Sequence, residues 1–205
     1  MKVFFDLDGT LTDPKEGIVK SINYVLDKFS LSAHEPSSLE RFIGPPLVDI
    51  FRVLLDTDDS ETLMRAAIWF RERYAAEGYL ENYMYDGIPE LLSSLQPNHS
   101  LFVATSKRQD IAANILAHFG LAQYFTAIYG CDVDLSKTDL LKQILYEHSF
   151  DPSDCIMIGD RMHDIDAAHA NNIPAIAVLW GYGSHEELIN ADYIISAPSE
   201  VSSFV

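Results

Sequence analysis

The chain has 205 residues, of which 48% are hydrophobic, and this length and composition allow one sizeable core with a modest insertion. Its formal net charge of −17 disfavours nucleic acid and anionic membranes as partners, but small phosphates remain possible ligands wherever local cations outweigh that charge. No apolar run approaches the length of a membrane span, and Asp6 follows Lys2 too closely for a secretory signal, so the sequence predicts a soluble, cytoplasmic protein.

The first predicted element is a buried strand that ends in two carboxylates. An apolar run at residues 3–5 leads into Asp6-Leu7-Asp8-Gly9-Thr10, in which the glycine permits a sharp turn. Both acids therefore lie at the end of a strand, where open α/β sheets bind ligands, and they point to the same side of the backbone. Such crowding is costly unless a cation or a shared proton relieves it. The motif favours a hard divalent metal with oxygen ligands; a solvated acidic turn is the alternative.

Three amphipathic helices are predicted next, with no strand between them. Apolar residues recur at helical spacing over residues 18–29, 47–55 and 63–74. Polar or Pro-containing breaks separate these runs, the second of them at Gly44-Pro45-Pro46. The pattern predicts a small helical insertion at residues 14–82, after the first strand. Within it, Arg41 and Lys20 are candidates for binding a substrate anion, and each is equally well interpreted as a solvated surface charge.

From Asp86 onwards, predicted strands alternate with predicted helices. The helical segments are 87–95, 109–119, 137–148 and 165–170, and the strands are 101–104, 127–130, 155–158, 175–179 and 193–195. This alternation implies right-handed crossovers, so it predicts an α/β fold with a doubly wound parallel sheet, formed by a core domain at residues 1–13 and 83–205. Cys131 and Cys155 lie in strand-like segments and are expected to be reduced packing residues, because two cysteines make no convincing metal framework.

Two of the later elements begin or end in groups that suit phosphate binding. The strand at 101–104 is followed by Thr105-Ser106-Lys107-Arg108, which offers a hydroxyl, backbone N–H groups and cations; helix capping is the alternative. Lys137 begins a helix, although a cation is usually unfavourable at that end of the helix dipole. We therefore expect an anionic group to hold Lys137, unless it is simply an exposed lysine.

A second acidic motif follows the strand at 155–158. That strand ends in Gly159-Asp160, and Asp164 comes four residues later as a helix begins. The spacing puts two carboxylates within reach of one metal site. The alternative is that the acids only cap the helix and favour its positive end.

The four motifs, in this order and spacing, resemble those of the haloacid dehalogenase superfamily of phosphohydrolases. That superfamily has DxDGT after the first strand, and the Thr105-Ser106-Lys107 triplet resembles the Thr-Asn-Lys of its phosphoglycolate phosphatase branch. The Gly44-Pro45-Pro46-Leu47 turn and the segment Trp180-Gly181-Tyr182-Gly183 also look like that branch and the related 5′-nucleotidase branch. The chain departs from the pattern at Ser106 and at Thr138, where the family often has Asn and Pro. The resemblance implies a Rossmann-like core with a helical cap.

The resemblance also implies a mechanism and a cofactor. Asp6 would attack phosphorus to form an aspartyl-phosphate, and Asp8 would exchange protons with the leaving group and with water. Mg²⁺ would be held by Asp6, the backbone carbonyl of Asp8 and Asp160, with support from Asp164 directly or through water.

The remaining motif residues would bind the substrate. The resemblance assigns Thr105 and Lys137 to the phosphoryl oxygens, and Ser106 would contribute its backbone beside them. The expected partner is a small phosphorylated metabolite such as phosphoglycolate or a nucleoside monophosphate. A phosphomutase of the same fold and a non-catalytic acidic binding module are the alternatives, and haloacid dehalogenation is disfavoured because Asp8 and Asp160 are both present. The sequence leaves open whether the chain is a monomer or a weak dimer.

Overall fold

The computed structural model describes residues 1–131 and 135–205. Its strands are β1 (Lys2–Phe5), β2 (Thr12–Asp13), β3 (Tyr83–Met84), β4 (Ser100–Thr105), β5 (Ala127–Gly130), β6 (Cys155–Gly159), β7 (Ala175–Val178) and β8 (Tyr193–Ile195). Its α-helices are α1 (Lys15–Lys28), α2 (Pro36–Leu39), α3 (Leu47–Leu55), α4 (Ser60–Arg73), α5 (Ile88–Leu95), α6 (Gln109–His118), α7 (Lys137–His148), α8 (Met162–Ala170) and α9 (His185–Leu188). Most of these elements lie where the apolar periodicity predicts them.

Contacts between Cα atoms divide the chain into two units. One unit comprises Met1–Asp13 and Met84–Val205, and the other is Pro14–Tyr83. The first contains the large sheet and the helices from α5 onwards, and the second contains α1 to α4. Among the residues that the structure describes, no helix combines the length and the apolar character needed to cross a membrane.

The sheet of the first unit has six parallel strands in the order β5-β4-β1-β6-β7-β8. The first strand therefore lies between β4 and β6, and Phe5 is in register with Val103 on one side and with Ile158 on the other. Parallel strands end at the same edge of their sheet. This topology brings the loops after β1, β4 and β6 together, and it confirms the predicted α/β fold with a parallel sheet.

Apolar side chains on both faces hold the central strands in place. Phe4 is fully buried and stacks on Phe102, with ring centroids 5.1 Å apart. The same core includes Met157 from β6, Leu141 from α7 and Ile165 from α8. Helices cover both faces of such a sheet, so its strands read as continuous apolar runs rather than as an alternating pattern. That property made β1 and β6 recognisable in the sequence.

The unit at Pro14–Tyr83 has a helical core of its own. Ile22 of α1, Phe51 of α3 and Phe70 of α4 are buried, and the rings of Phe51 and Phe70 lie 6.2 Å apart. The side chain of Asp59 accepts a hydrogen bond from the N–H of Thr62 and so caps the start of α4. Helical periodicity is therefore sufficient to predict the long helices of this unit.

The structure differs from the sequence-based assignment in several short elements. The segment between the first two predicted helical runs, at residues 30–46, contains the four-residue helix α2, which begins at Pro36 because proline is compatible with the first turn of a helix. Cys131 follows β5 instead of lying within a strand, whereas Cys155 begins β6. Both cysteines are buried, and neither forms a disulfide with the other. The two-residue strands β2 and β3 are too short for their side-chain pattern to predict them.

Candidate active site

A tight turn after β1 positions the first pair of acids. The backbone N–H of Asp6 donates to the carbonyl of Ile158 at 2.9 Å, which continues the pairing of β1 with β6. The carbonyl of Leu7 then accepts hydrogen bonds from the next three backbone N–H groups that follow Gly9. Gly9 has φ +80°, a left-handed conformation that favours glycine. The turn thereby holds the side chain of Asp6 at the carboxyl edge of the sheet.

Three carboxylates converge at this edge. Asp6, Asp160 and Asp164 each place a carboxylate oxygen within 4.8 Å of the others, and all three residues are buried. Asp160 immediately follows β6, and Asp164 lies in the first turn of α8, where it accepts a hydrogen bond from the N–H of Arg161. The sequence spacing of these acids predicts that they share a site, and the parallel sheet brings Asp6 to them.

The electrostatics of the cluster favour a bound cation. Burial, reinforced by the charges of Asp164 and Asp6, holds the pKa of Asp160 well above its usual range. Burial also raises the pKa of Asp164, and the charge of Asp6 acts in the same direction, although Lys137 opposes it. Three buried acids with oxygen donors alone suit a hard divalent ion. The residues present therefore fit a divalent metal.

Lys137 lies between two of these carboxylates. It is the first residue of α7 and is 7% exposed, and its Nζ is 2.9 Å from Oδ1 of Asp6 and donates a hydrogen bond to Oδ1 of Asp164. Burial lowers the pKa of Lys137, but the charges of Asp164 and Asp6 outweigh that effect and raise it overall. A lysine at the start of a helix is expected to contact an anionic group, and the carboxylates of Asp6 and Asp164 are such groups.

Asp8 faces a different cation. Its Oδ2 is 2.8 Å from Nζ of Lys107, and its Oδ1 is buried without a hydrogen-bond partner in residues 1–131 and 135–205. Burial raises the pKa of Asp8, and the ammonium of Lys107 opposes that rise. The sequence motif after β4 identified Lys107 only as a nearby cation, because its contact with Asp8 depends on the order of the strands.

The hydroxyl residues after β4 have different environments. Thr105 is the last residue of β4 and is 2% exposed, and its Oγ1 accepts a hydrogen bond from the N–H of Lys107 at 3.3 Å. Ser106 is exposed. The carboxyl edge of the sheet therefore carries the Thr105 hydroxyl together with the acids of the neighbouring strands, since β4 is paired with β1.

The two candidate anion-binding residues of the helical unit differ in their contacts. Lys20 donates hydrogen bonds to Oε1 of Glu16 at 2.6 Å and to Oε1 of Glu81 at 2.8 Å. These bonds raise the pKa of Lys20. Arg41 is exposed, and its guanidinium lies 4.7 Å from the centre of the Phe42 ring. The charge of Lys20 is thus already neutralised by Glu16 and Glu81, which belong to the same helical unit.

The sequence model of the haloacid dehalogenase-like hydrolases matches residues 3–178. The chain belongs to this family. The match covers β1 to β7 and therefore includes the three converging acids and Lys137. It confirms the predicted superfamily and the prediction that the chain is an enzyme; with the relatives described next, it confirms the phosphatase type and the α/β fold.

Individual relatives of this hydrolase agree with that assignment. A 5′-nucleotidase of Pseudomonas aeruginosa is 41% identical over 190 residues, which are 91% of this chain and 86% of the relative. The crystal structure of a predicted phosphatase from Clostridium acetobutylicum superposes with a TM-score of 0.92 at 44% identity and covers 98% of this chain and 96% of its own. Phosphoglycolate phosphatases are among the more distant relatives, at 26% to 28% identity.

One relative has a different name. The tyrosine-protein kinase PtkA of Mycobacterium tuberculosis is 38% identical over 185 residues, which are 88% of this hydrolase and 62% of the kinase. The hydrolase thus spans less than two thirds of that protein's length.

The segment after β7 is a part of the hydrolase site that sequence reasoning missed. The N–H of Tyr182 donates to Oδ2 of Asp160 at 2.8 Å, and the indole N–H of Trp180 donates to the carbonyl of Thr10 at 3.0 Å. The hydroxyl of Tyr182 also donates a hydrogen bond to Asp13. The glycine-rich segment at 180–183 resembled the family in sequence, but nothing in its spacing predicts contact with Asp160. Only the pairing of β7 with β6 brings the two together.

Proposed function

We propose that this hydrolase is a Mg²⁺-dependent phosphatase that acts on a small phosphomonoester through a covalent intermediate on Asp6. The observation that carries the proposal is the convergence of Asp6 with Asp160, Asp164 and the ammonium of Lys137 in one buried site. A nucleophilic carboxylate needs an oxygen aimed at phosphorus and nearby positive charge to stabilise the transferring group. This arrangement supports both requirements.

In the proposed first step, a carboxylate oxygen of Asp6 attacks phosphorus. As the bond between phosphorus and the ester oxygen breaks, the protonated carboxyl of Asp8 gives its proton to the leaving oxygen. In the second step, Asp8 takes a proton from a water molecule that attacks phosphorus. The bond to Asp6 then breaks, which regenerates the carboxylate and releases inorganic phosphate. The Oδ1 of Asp8, which is buried and has no hydrogen-bond partner in the described part of the chain, supports this role.

The acidic cluster is the proposed metal site. When bound, Mg²⁺ would lie among the oxygens of Asp6, Asp160, Asp164 and the backbone carbonyl of Asp8, and it would supply charge that stabilises the transferring phosphoryl group. Among the described residues, the cluster of side chains does not include that of Asp8, which supports the contribution of its backbone carbonyl that the family resemblance implies.

The remaining assignments concern the substrate. The ammonium of Lys137 and the hydroxyl of Thr105 would bind phosphoryl oxygens, with the backbone of Ser106 beside them. The helical unit would act as a cap that excludes water, as closing lids do. Arg41, whose guanidinium lies against the ring of Phe42, is the better candidate there for a substrate anion. Lys20 would first have to exchange one of its two carboxylate partners for substrate.

We propose a nucleoside monophosphate as the preferred substrate, with phosphoglycolate as the alternative. The 5′-nucleotidase relative is 41% identical to this chain, whereas the phosphoglycolate phosphatases are at most 28% identical. The phosphomutase remains an alternative hypothesis, whereas membership of a hydrolase family disfavours the non-catalytic module. The relative named as a tyrosine kinase adds phosphotyrosine to the compounds that a test must include.

Phosphate release from a panel of phosphomonoesters tests the proposal. The panel comprises nucleoside 5′-monophosphates, phosphoglycolate, a hexose phosphate and a phosphotyrosine peptide, each with Mg²⁺ and with excess chelator. We expect release that depends on Mg²⁺, favours a nucleoside monophosphate and disappears in Asp6→Asn. No release from any compound by a chain that binds Mg²⁺ would contradict the proposal, and release that depends on an added bisphosphate would favour the mutase.

A further inference from the structure

Lys107 is a largely buried cation that has no role in the mechanism proposed above. Its side chain is 10% exposed, and its Nζ lies 2.8 Å from Oδ2 of Asp8. The ion pair is separate from the one that Lys137 makes with Asp6 and Asp164. The edge of the sheet thus holds two lysines, each paired with a different carboxylate of the first motif.

The backbone of Lys107 is held at both its N–H and its carbonyl. Its N–H donates to Oγ1 of Thr105 at 3.3 Å, and its carbonyl accepts from the N–H of Cys131 at 3.0 Å. Gly130 packs so close that an added Cβ would lie 2.5 Å from this carbonyl. Two neighbouring strands, β4 and β5, therefore fix the position from which the side chain of Lys107 extends.

This ion pair makes the two oxygens of Asp8 inequivalent. Oδ2 contacts the ammonium of Lys107, whereas Oδ1 is buried without a hydrogen-bond partner among the residues that the structure describes. A carboxyl group can rotate about the bond between its Cβ and Cγ atoms, and an ion pair to one oxygen restricts that rotation. The oxygen that remains available for a proton is then Oδ1.

We infer that Lys107 is a positioning residue for Asp8, which it orients so that Oδ1 exchanges protons with the leaving oxygen and with the attacking water. The inference rests on the proposed phosphatase function. No atom of Lys107 enters the reaction: the proton passes between Asp8 and the substrate or water, and the ammonium keeps its own protons. The motif after β4 thereby contributes to acid–base catalysis as well as to phosphate binding.

The role predicts a dependence on the leaving group. An alkyl phosphate releases a strongly basic oxygen and needs the proton from Asp8, whereas p-nitrophenyl phosphate releases a stable phenolate and needs it far less. A misoriented Asp8 should therefore slow the first substrate and largely spare the second. A lysine that simply bound the phosphoryl group would affect both equally, because the phosphoryl group is the same.

The decisive measurement is kcat/KM of Lys107→Met with each substrate. We expect a loss of about 10- to 100-fold with the alkyl phosphomonoester that the wild type hydrolyses best, and of less than about 3-fold with p-nitrophenyl phosphate, as fits a partial loss of general acid catalysis. Asp8→Asn should show the same selectivity with larger losses. Lys107→Arg, which keeps a cation beside Asp8, should recover part of the lost rate.

Controls separate this role from other effects. Lys142→Met removes an exposed lysine of α7 and should change neither rate, so it accounts for the change in net charge. Loss of the largely buried ion pair should lower the thermal unfolding midpoint of Lys107→Met, but circular dichroism should show a folded chain at the assay temperature. Mg²⁺ titration calorimetry should give the wild-type affinity, which excludes a lost metal.

Two results would count against these ideas in different ways. Equal losses with both substrates, or no loss with either, would overturn the positioning role while leaving the phosphatase intact. Failure of the wild-type chain to release phosphate from either substrate would overturn the proposed function itself.

Discussion

The backbone N–H of Tyr182 donates a hydrogen bond of 2.8 Å to Oδ2 of Asp160, and so ties the segment after β7 to an acid at the end of β6. Gly181 makes this contact possible. An added Cβ at Gly181 would lie 2.4 Å from both Cβ of Asp160 and the carbonyl oxygen of Gly9. The loop can therefore approach the candidate metal ligand only because residue 181 has no side chain.

Gly181→Ala should displace Asp160 and weaken Mg²⁺ binding. We expect at least a 10-fold loss of affinity in titration calorimetry and destabilisation of about 1–3 kcal/mol, as for other overpacked sites. Gly120→Ala is the matched control: its methyl group would meet no atom within 4 Å, although φ +67° still carries strain. That control should lose stability without losing Mg²⁺ affinity. Equal affinity in both variants would show that the segment does not position Asp160.

Lys137→Met should destabilise the fold in a way that Mg²⁺ partly reverses. The side chain of Lys137 is 6% exposed between Asp6 and Asp164, so its removal leaves two buried carboxylates without their cation. Breaking a buried ion pair typically costs about 3–5 kcal/mol, and a divalent ion at the acidic cluster would restore part of that. Urea unfolding with chelator and with Mg²⁺ measures both quantities. Lys142→Met should be neutral, and a similarly neutral Lys137→Met would contradict the ion-pair geometry.

Asp6→Asn should abolish phosphate release and preserve the fold. The amide keeps the size of the side chain but is a poor nucleophile, so no covalent intermediate can form on it. A quench with acid during turnover should trap labelled phosphate on the wild-type protein and none on the variant. Circular dichroism and thermal unfolding serve as controls for folding. Retained turnover in Asp6→Asn would refute the assignment of the nucleophile.

Cys155 should react slowly with thiol reagents in the native protein. Burial raises the pKa of this thiol to about 11, and its side chain is fully buried at the start of β6. The reactive thiolate is therefore scarce at pH 8, whereas an unfolded chain exposes a cysteine with a pKa of about 8.5. In Cys131→Ser, which isolates Cys155, we expect modification by a disulfide reagent at least about 100-fold slower than in urea. Comparable rates would show that β6 opens readily.

Much of the core follows from local patterns in the sequence. The apolar runs at β1 and β6 and the periodicity of α7 identify these elements. Burial of a strand or of one face of a helix requires apolar residues at regular positions in the sequence. The short elements show no such apolar pattern, because α2 has four residues and β2 has only two. Stretches of that length do not complete enough periods to be recognised.

The candidate site, like the fold, could be predicted from the sequence only in part. The DxDGT turn, the Gly159-Asp160 motif and Lys137 are visible as polar groups at the ends of apolar elements, so their residue types and approximate place are readable in the chain. The pairing of Lys107 with Asp8 and the contact of Tyr182 with Asp160 cannot be predicted from the sequence. Each joins residues from different strand ends, whose distance depends on strand order.

The sequence by itself determined which residues are candidates for the chemistry, because carboxylates, a lysine and a glycine turn at strand ends form a specific combination of motifs. The tertiary structure alone decided how they are paired: which lysine neutralises which acid, and which loop holds Asp160. The physical reason is that hydrophobic periodicity encodes the burial of each element separately. The contacts between elements arise only when β1 is placed between β4 and β6 in one parallel sheet.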